Sequence, residues 1–227
     1  MAITVGNTSN KQHENQVSAS TLSHTINSGI NRILFVMVSE MNFDSKAVTY
    51  NGTAMTKLLD QTSGTRHMSL WYMLEADLPA GGAYNIGVNS GGNRQYGQVF
   101  AHCFSNAEQT APFASASGAS GTGQTSFALT LNSLRNGDVI IYGASIPRGS
   151  GTSNTWTPAV DYTEWFDAAN DGLPLGLPAS STGIRRALTA SGNYSPSSTS
   201  SGNGTIYAVA VAFHPAEDVL GGPIWFF

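Results

Sequence analysis

The sequence predicts an all-β protein: an antiparallel β-sandwich, jelly-roll-like, with a long irregular insertion and an extended C-terminal tail. Three observations predict it. The run Ile33-Leu34-Phe35-Val36-Met37-Val38 is unbroken in apolar, strand-favouring residues and far too short to span a membrane. A strand turns alternate side chains to opposite faces, so such a run is expected at the centre, covered on both sides. Ala47-Val48-Thr49-Tyr50, Asn51-Gly52 and Thr53 to Leu58 read as strand, two-residue turn and strand, because Asn and Gly both accept the positive φ of a type I′ turn. Finally, about ten strand-like segments recur at intervals of roughly 10–15 residues with no 3.6-residue apolar stripe, the spacing of sandwiches and jelly rolls.

Residues 1–20 form an N-terminal arm or edge segment, polar after Ile3-Thr4-Val5 and expected to order only against a neighbour. A single β-sandwich domain is expected over 21–215. Thr21 to Ile26 alternates and ends at Asn27-Ser28-Gly29, ahead of the central strand. Met68 to Leu74 is a buried strand stopped by Leu78-Pro79-Ala80-Gly81-Gly82. Ala83 to Val88 alternates, and Gln98 to Phe104 follows a glycine-rich loop. The stretch 114–124, all small residues, reads as a flexible loop. Strands resume at Ser126 to Leu131 and Asp138 to Gly143, about the Arg135-Asn136-Gly137 turn. From 146 to 204, prolines scattered among Gly, Ser and Thr predict a loop-rich excursion with no core of its own, anchored by Trp156, Tyr162, Trp165 and Phe166. The last strand, Thr205 to Phe213, sets Tyr207, Val209, Val211 and Phe213 on one face. Ala208, Ala210 and Ala212 lie on the other, where a further layer can approach closely.

The 227 residues can bury roughly 70% of their unfolded surface, enough to need no disulfide or metal staple. Charged residues make up only 11%, against about 25% in average domains, so the polarity is mostly uncharged. A net charge of −4 with no block of Lys or Arg argues against nucleic acid as a partner. No segment is long and apolar enough for a membrane-spanning helix, and Met1 to Val5 lacks the features of a secretory signal. Cys103, the single cysteine, sits in an apolar strand and reads as a buried, inert thiol.

Catalytic and metal chemistry find little support. There is no Gly-x-Ser-x-Gly elbow, and none of His13, His24, His67, His102 and His214 is spaced as a base beside a nucleophile. No His-x-His, Cys-x-x-Cys or calcium-loop spacing occurs, and no cofactor is expected. Asp161, Glu164 and Asp167 share a segment with Tyr162, Trp165 and Phe166; with Trp156 these aromatics are the candidate glycan-binding residues, carboxylates beside stacking rings being what sugars need. The competing reading is that the rings pin the excursion onto the sandwich. At the C-terminus, 216–227 forms an apolar tail in which Gly221-Gly222-Pro223 precedes Ile224, Trp225, Phe226 and Phe227. Those four residues are candidate anchors on a partner, with the Ala208/Ala210/Ala212 face as a seat; the alternative is that they fold back as a core plug.

One resemblance bears on function. Ser23-His24-Thr25, Asn31-Arg32-Ile33-Leu34, Val48 to Thr56, Leu70-Trp71-Tyr72 and Ala80-Gly81-Gly82-Ala83-Tyr84 resemble a pattern in tailed-phage structural genes and in some bacterial surface β-sandwich domains. It covers about residues 20–113, with weaker echoes at 126–145 and 205–214. These are turn and core motifs, so they carry no catalytic residues across. The resemblance implies a virion component such as a capsid decoration (cement) protein or a fibre domain; the favoured reading is a non-enzymatic decoration protein on the particle surface, made in the host cytoplasm without a signal peptide. Its implied partners are the major capsid protein or other virion subunits, and further copies of itself as a homo-oligomer, a trimer being one form. A tail-fibre receptor- or carbohydrate-binding module is the second reading and a glycan-cleaving enzyme the third.

Overall fold

The computed structural model describes residues 1–13, 17–41, 45–94, 97–147, 154–168 and 179–217. Its strands are β1 (Thr4–His13), β2 (Val17–Ile26), β3 (Ile33–Met41), β4 (Ala47–Tyr50), β5 (Thr53–Ala54), β6 (Thr56–Ser63), β7 (Arg66–Leu74), β8 (Gly82–Arg94) and β9 (Gly97–Ser105) in the first half. The second half contributes β10 (Phe113–Ala128), β11 (Leu131–Leu134), β12 (Val139–Pro147), β13 (Trp156–Pro158), β14 (Thr163–Ala168), β15 (Ala179–Ala187), β16 (Gly192–Tyr194) and β17 (Ser197–Phe213). All pairings are antiparallel. A single 3₁₀ turn, Glu75–Asp77, is the one helical element among the described residues.

In the first half one sheet runs β1-β9-β3-β7-β6 and faces a second, β2-β8-β4-β5. Because β5 and β6 are one strand broken at Met55, the order is 1-8-3-6-5 over 2-7-4-5, which is jelly-roll topology. Asn51 (φ 49°) and Gly52 (φ 79°) make the tight turn from β4 to β5 that their residue types predict. Leu34, Val36 and Val38 of β3 face inward with Trp71, Val99, Tyr50 and Ile86 to form the first core. The alternate residues Ile33, Phe35 and Met37 face the other way, into a second core. Strand β3 is therefore buried on both faces, as its unbroken apolar run requires.

The second half repeats this plan. Its inner sheet is ordered β10-β17-β12-β15-β14, the same sequence of positions as β1-β9-β3-β7-β6. Its outer layer joins β11 to β16, Ser126 through Ala128 to the start of β17, and β13 to that same stretch of β17. The registers match too. Ile33 pairs with Leu74 and Phe104, and Val139 pairs with Ala187 and Phe213. The chain is thus two jelly rolls in tandem, each with its own core, packed through their inner sheets around the second cluster.

The contact between the rolls is self-complementary, as between two copies related by a two-fold axis. Equivalent residues meet directly: Ser39 with Ser145, Phe104 with Phe213 (ring centroids 5.0 Å), and Met37 with Gly143, where any Cβ would collide with the Met37 sulfur. Phe100 stacks on Phe166 at 3.4 Å and 7°.

Four expectations change, the first being that the single β-sandwich domain expected over 21–215 is two rolls, one in each half of the chain. The stretch from 146 to 204 holds β13 to β16 and the first part of β17, and Trp156, Ile184 and Leu188 from it help build a third core cluster. Its strands lack bulky alternation because inward positions are small: Ser181, Ser198 and Ser200 are buried, and Gly183 lies directly under the rings of Phe166 and Trp165. The stretch 114–124, expected as a flexible loop, lies within β10, whose Ala, Ser and Gly residues pair with β17. At the N-terminus, β1 orders as an edge strand on β9 of the same chain.

Candidate functional site

The aromatic residues singled out for sugars are used internally. Trp156 (4% exposed) lies in the third core and Phe166 (6%) in the second. Trp165 is half-buried, 4.7 Å from the His102 ring and edge-on to Phe166. Tyr162 is also half-buried, with the Arg186 guanidinium 5.5 Å from its ring and 5.3 Å from that of Tyr194; Asp161 pairs with the same arginine at 3.2 Å. Among the acids, Glu164 accepts from Thr182 Oγ1 (3.2 Å) and Asp167 from the Trp156 amide (3.2 Å). Burial first, then the neighbouring Asp167 charge, raises the Glu164 pKa, and burial raises that of Asp167. These groups hold β13 and β14 in place, and among the described residues no open face of stacking rings results.

Ala208, Ala210 and Ala212 are fully buried, packed with Leu131, Leu134 and Tyr142 of the chain itself. The expected close approach of a layer occurs, but the layer is the second roll's own outer sheet, so this face is not open to a partner. Ile224, Trp225, Phe226 and Phe227 lie outside the described residues. Cys103 is buried, its Sγ 3.7 Å from the Asn7 carbonyl oxygen, and burial pushes its thiol pKa up. That fits an inert thiol.

Among the described residues, a depression lies where the two rolls join. After β9 and after β17 the equivalent segments Asn106-Ala107-Glu108 and Pro215-Ala216-Glu217 cross as a short antiparallel ladder: Ala216 N donates to Asn106 O at 2.7 Å and Glu108 N to His214 O at 3.0 Å. Beside this crossing is a groove of about 460 Å³ lined by Glu108, Phe113, Ser133, Arg135, His214 and Glu217. His214 Nδ1 lies 2.7 Å from Oδ1 of Asp138, which is fully buried; a carboxylate only accepts, so Nδ1 carries the proton. The other Asp138 oxygen accepts from the Arg135 amide at 2.8 Å. Hydrogen bonds from the Thr110 and Gln109 amides hold the Glu108 carboxyl below the usual range.

This Asp138–His214 pair escaped the sequence reading because its partners are 76 residues apart and carry no local motif. Chemically it orients an imidazole whose Nε2 is the remaining ring nitrogen. The Ser133 hydroxyl lines the same groove without a hydrogen bond to that ring, so the nucleophile–base link that acyl transfer requires is not assembled. The pair's evident work is to tie the turn before β12 to the end of β17. No grouping of three or more His, Cys, Asp or Glu side chains suited to a metal occurs among the described residues.

No family model matches the chain, and no curated protein matches it. Among solved structures, the STIV MCP aligns over 96% of this chain and 100% of its own, at 10% identity and a TM-score of 0.25. A chain from the atomic structure of Sulfolobus Turreted Icosahedral Virus aligns over 92% and 91%, again at 10% identity and 0.25. Superposition that loose bears on neither fold nor function. The jelly-roll assignment rests on the strand order and register.

Proposed function

We propose that the protein is a non-enzymatic structural component of a virus particle, a capsid decoration protein. The observation that carries this reading is the fused pair of jelly rolls, whose aromatic and polar groups are turned inward to rigidify the contact between them. Jelly rolls recur in viral capsid and lectin domains, so the architecture supports the reading by analogy alone. The resemblance of residues 20–113 to tailed-phage structural genes supports it from the sequence side. The lectin-like alternative is less favoured, because Trp156 and Phe166 are buried and cannot stack on a sugar.

Within this reading, Ile224, Trp225, Phe226 and Phe227 are the anchor on the capsid. Their burial contributes roughly 1.5–3 kcal/mol each before ordering costs. The test is co-sedimentation of the purified protein with capsids lacking it, using the full chain and a variant without residues 223–227. The full chain is expected to bind and the truncated one to bind far more weakly at an unchanged melting temperature. Binding to a glycan panel with no affinity for capsids would replace the decoration reading with the lectin one.

A further inference from the structure

We propose that two copies of this chain associate through the outer edge of β10, the strands pairing antiparallel so that two inner sheets join into one. This goes beyond the virion reading and does not depend on it.

The inner sheets have four edge strands: β1, β6, β10 and β14. Proteins blunt such edges with charge, proline or bulges, since an open row of amides and carbonyls recruits further strands. Three of the four are charged: β1 carries Lys11, β6 carries Lys57 and Asp60, and β14 carries Glu164 and Asp167. Strand β10 has no charged residue and no proline along its whole length. From Ser115 to Gly121 its ladder with β17 runs without a register shift, so no bulge turns the edge away. Ala116 and Gly118 are exposed, and among the described residues β10 has no strand partner on its outer side.

The occupant follows from these properties. An antiparallel pair of identical edges is two-fold symmetric, so every residue meets its own kind or a near neighbour. A charged edge would set like charges against each other across that axis. Here all the facing side chains are Ala, Ser or Gly, so self-pairing incurs no charge repulsion and little steric cost. The edge from Ser115 to Gly121 offers roughly 24 Å of ladder at about 3.4 Å per residue.

The test measures the mass of the full chain by analytical ultracentrifugation over about 1–500 µM, a range reaching the weak affinities of small interfaces. Wild type is expected to move from 23.8 kDa towards twice that mass. Ala116→Lys and Ala116→Glu, each at an exposed position, should weaken association at least about tenfold, and mixing the two should restore it. Amide exchange of Ser115 to Gly121, followed on wild type, should slow as concentration rises. A wild type that stays monomeric throughout overturns the proposal, as does association that neither charge disturbs. Protection independent of concentration also overturns it, since another part of the same chain would then cover the edge.

Discussion

Ser39 and Ser145 occupy the same position in two equivalent central strands, β3 and β12, and their hydroxyls share a buried hydrogen bond of 2.9 Å. The pair marks the place where one jelly roll meets its repeat. Each hydroxyl is the other's partner, so losing one strands the other.

A double-mutant cycle tests this coupling. Ser39→Ala or Ser145→Ala alone should cost about 1–3 kcal/mol, the penalty of a buried hydroxyl left unpaired. The double variant should cost less than the sum of the singles, because no orphan remains. Urea denaturation of the four proteins measures it; strict additivity would mean that the hydroxyls do not depend on each other.

Gly143 tests the closeness of the two rolls. A Cβ there would run into the Met37 sulfur and lie 2.8 Å from Met68 Cε. Gly143→Val should therefore cost at least about 1–3 kcal/mol by overpacking, despite raising strand propensity. A melting temperature equal to wild type would show that the sheets stand further apart.

Arg32 is 6% exposed and grips Glu75 through Nε (2.8 Å), Nη2 (2.5 Å) and its own amide (2.7 Å). Glu75→Gln removes the charge while keeping the shape, and should cost on the order of 1–3 kcal/mol, discounted because Glu75 is about one-third exposed. The loss should shrink little with added salt, since the arginine side is buried. An unchanged denaturation midpoint would contradict this.

Two histidines contribute to the response to acid. Burial lowers the His24 pKa to about 4. Burial, aided by the Arg185 charge, lowers that of His102 to about 3. Both fall below the unfolded value of about 6.5, so between these limits the unfolded chain binds more protons than the folded one. Stability is therefore full above about pH 6.5 and falls as the pH drops, by up to about 1.4 kcal/mol per unit for each ring. Urea midpoints at several pH values between about 7.5 and 4.5 should decline, and His102→Asn should make the slope shallower. A flat profile would refute the burial of two neutral rings.

Local signals made much of the fold readable. The β3 run announced a strand covered on both sides, Asn51-Gly52 announced its turn, and the asymmetry of Tyr207 to Phe213 announced two unlike packed faces. The repeat was visible in principle: Ala107-Glu108 recurs as Ala216-Glu217, and an apolar strand ending in serine appears as Ile33 to Ser39 and again as Val139 to Ser145. It is faint because most equivalent positions of the two strands carry different residues, Met37 and Gly143 among them. The Asp138–His214 pair had no local signal at all, since only the crossing of two chain ends brings it together.

The sequence alone determined that the chain is β throughout, where its central strands and tight turn lie, and that its surface carries little charge. These follow from alternation, propensity and composition, which act over a few residues. Tertiary structure decided what lies against each face. It placed the alanine side of β17 beneath the second roll's own outer sheet, turned Trp156 and Phe166 inward, and made Ser39 the partner of Ser145. Those outcomes depend on contacts between residues from a few tens to about a hundred positions apart, where only close packing, not local preference, selects the neighbour.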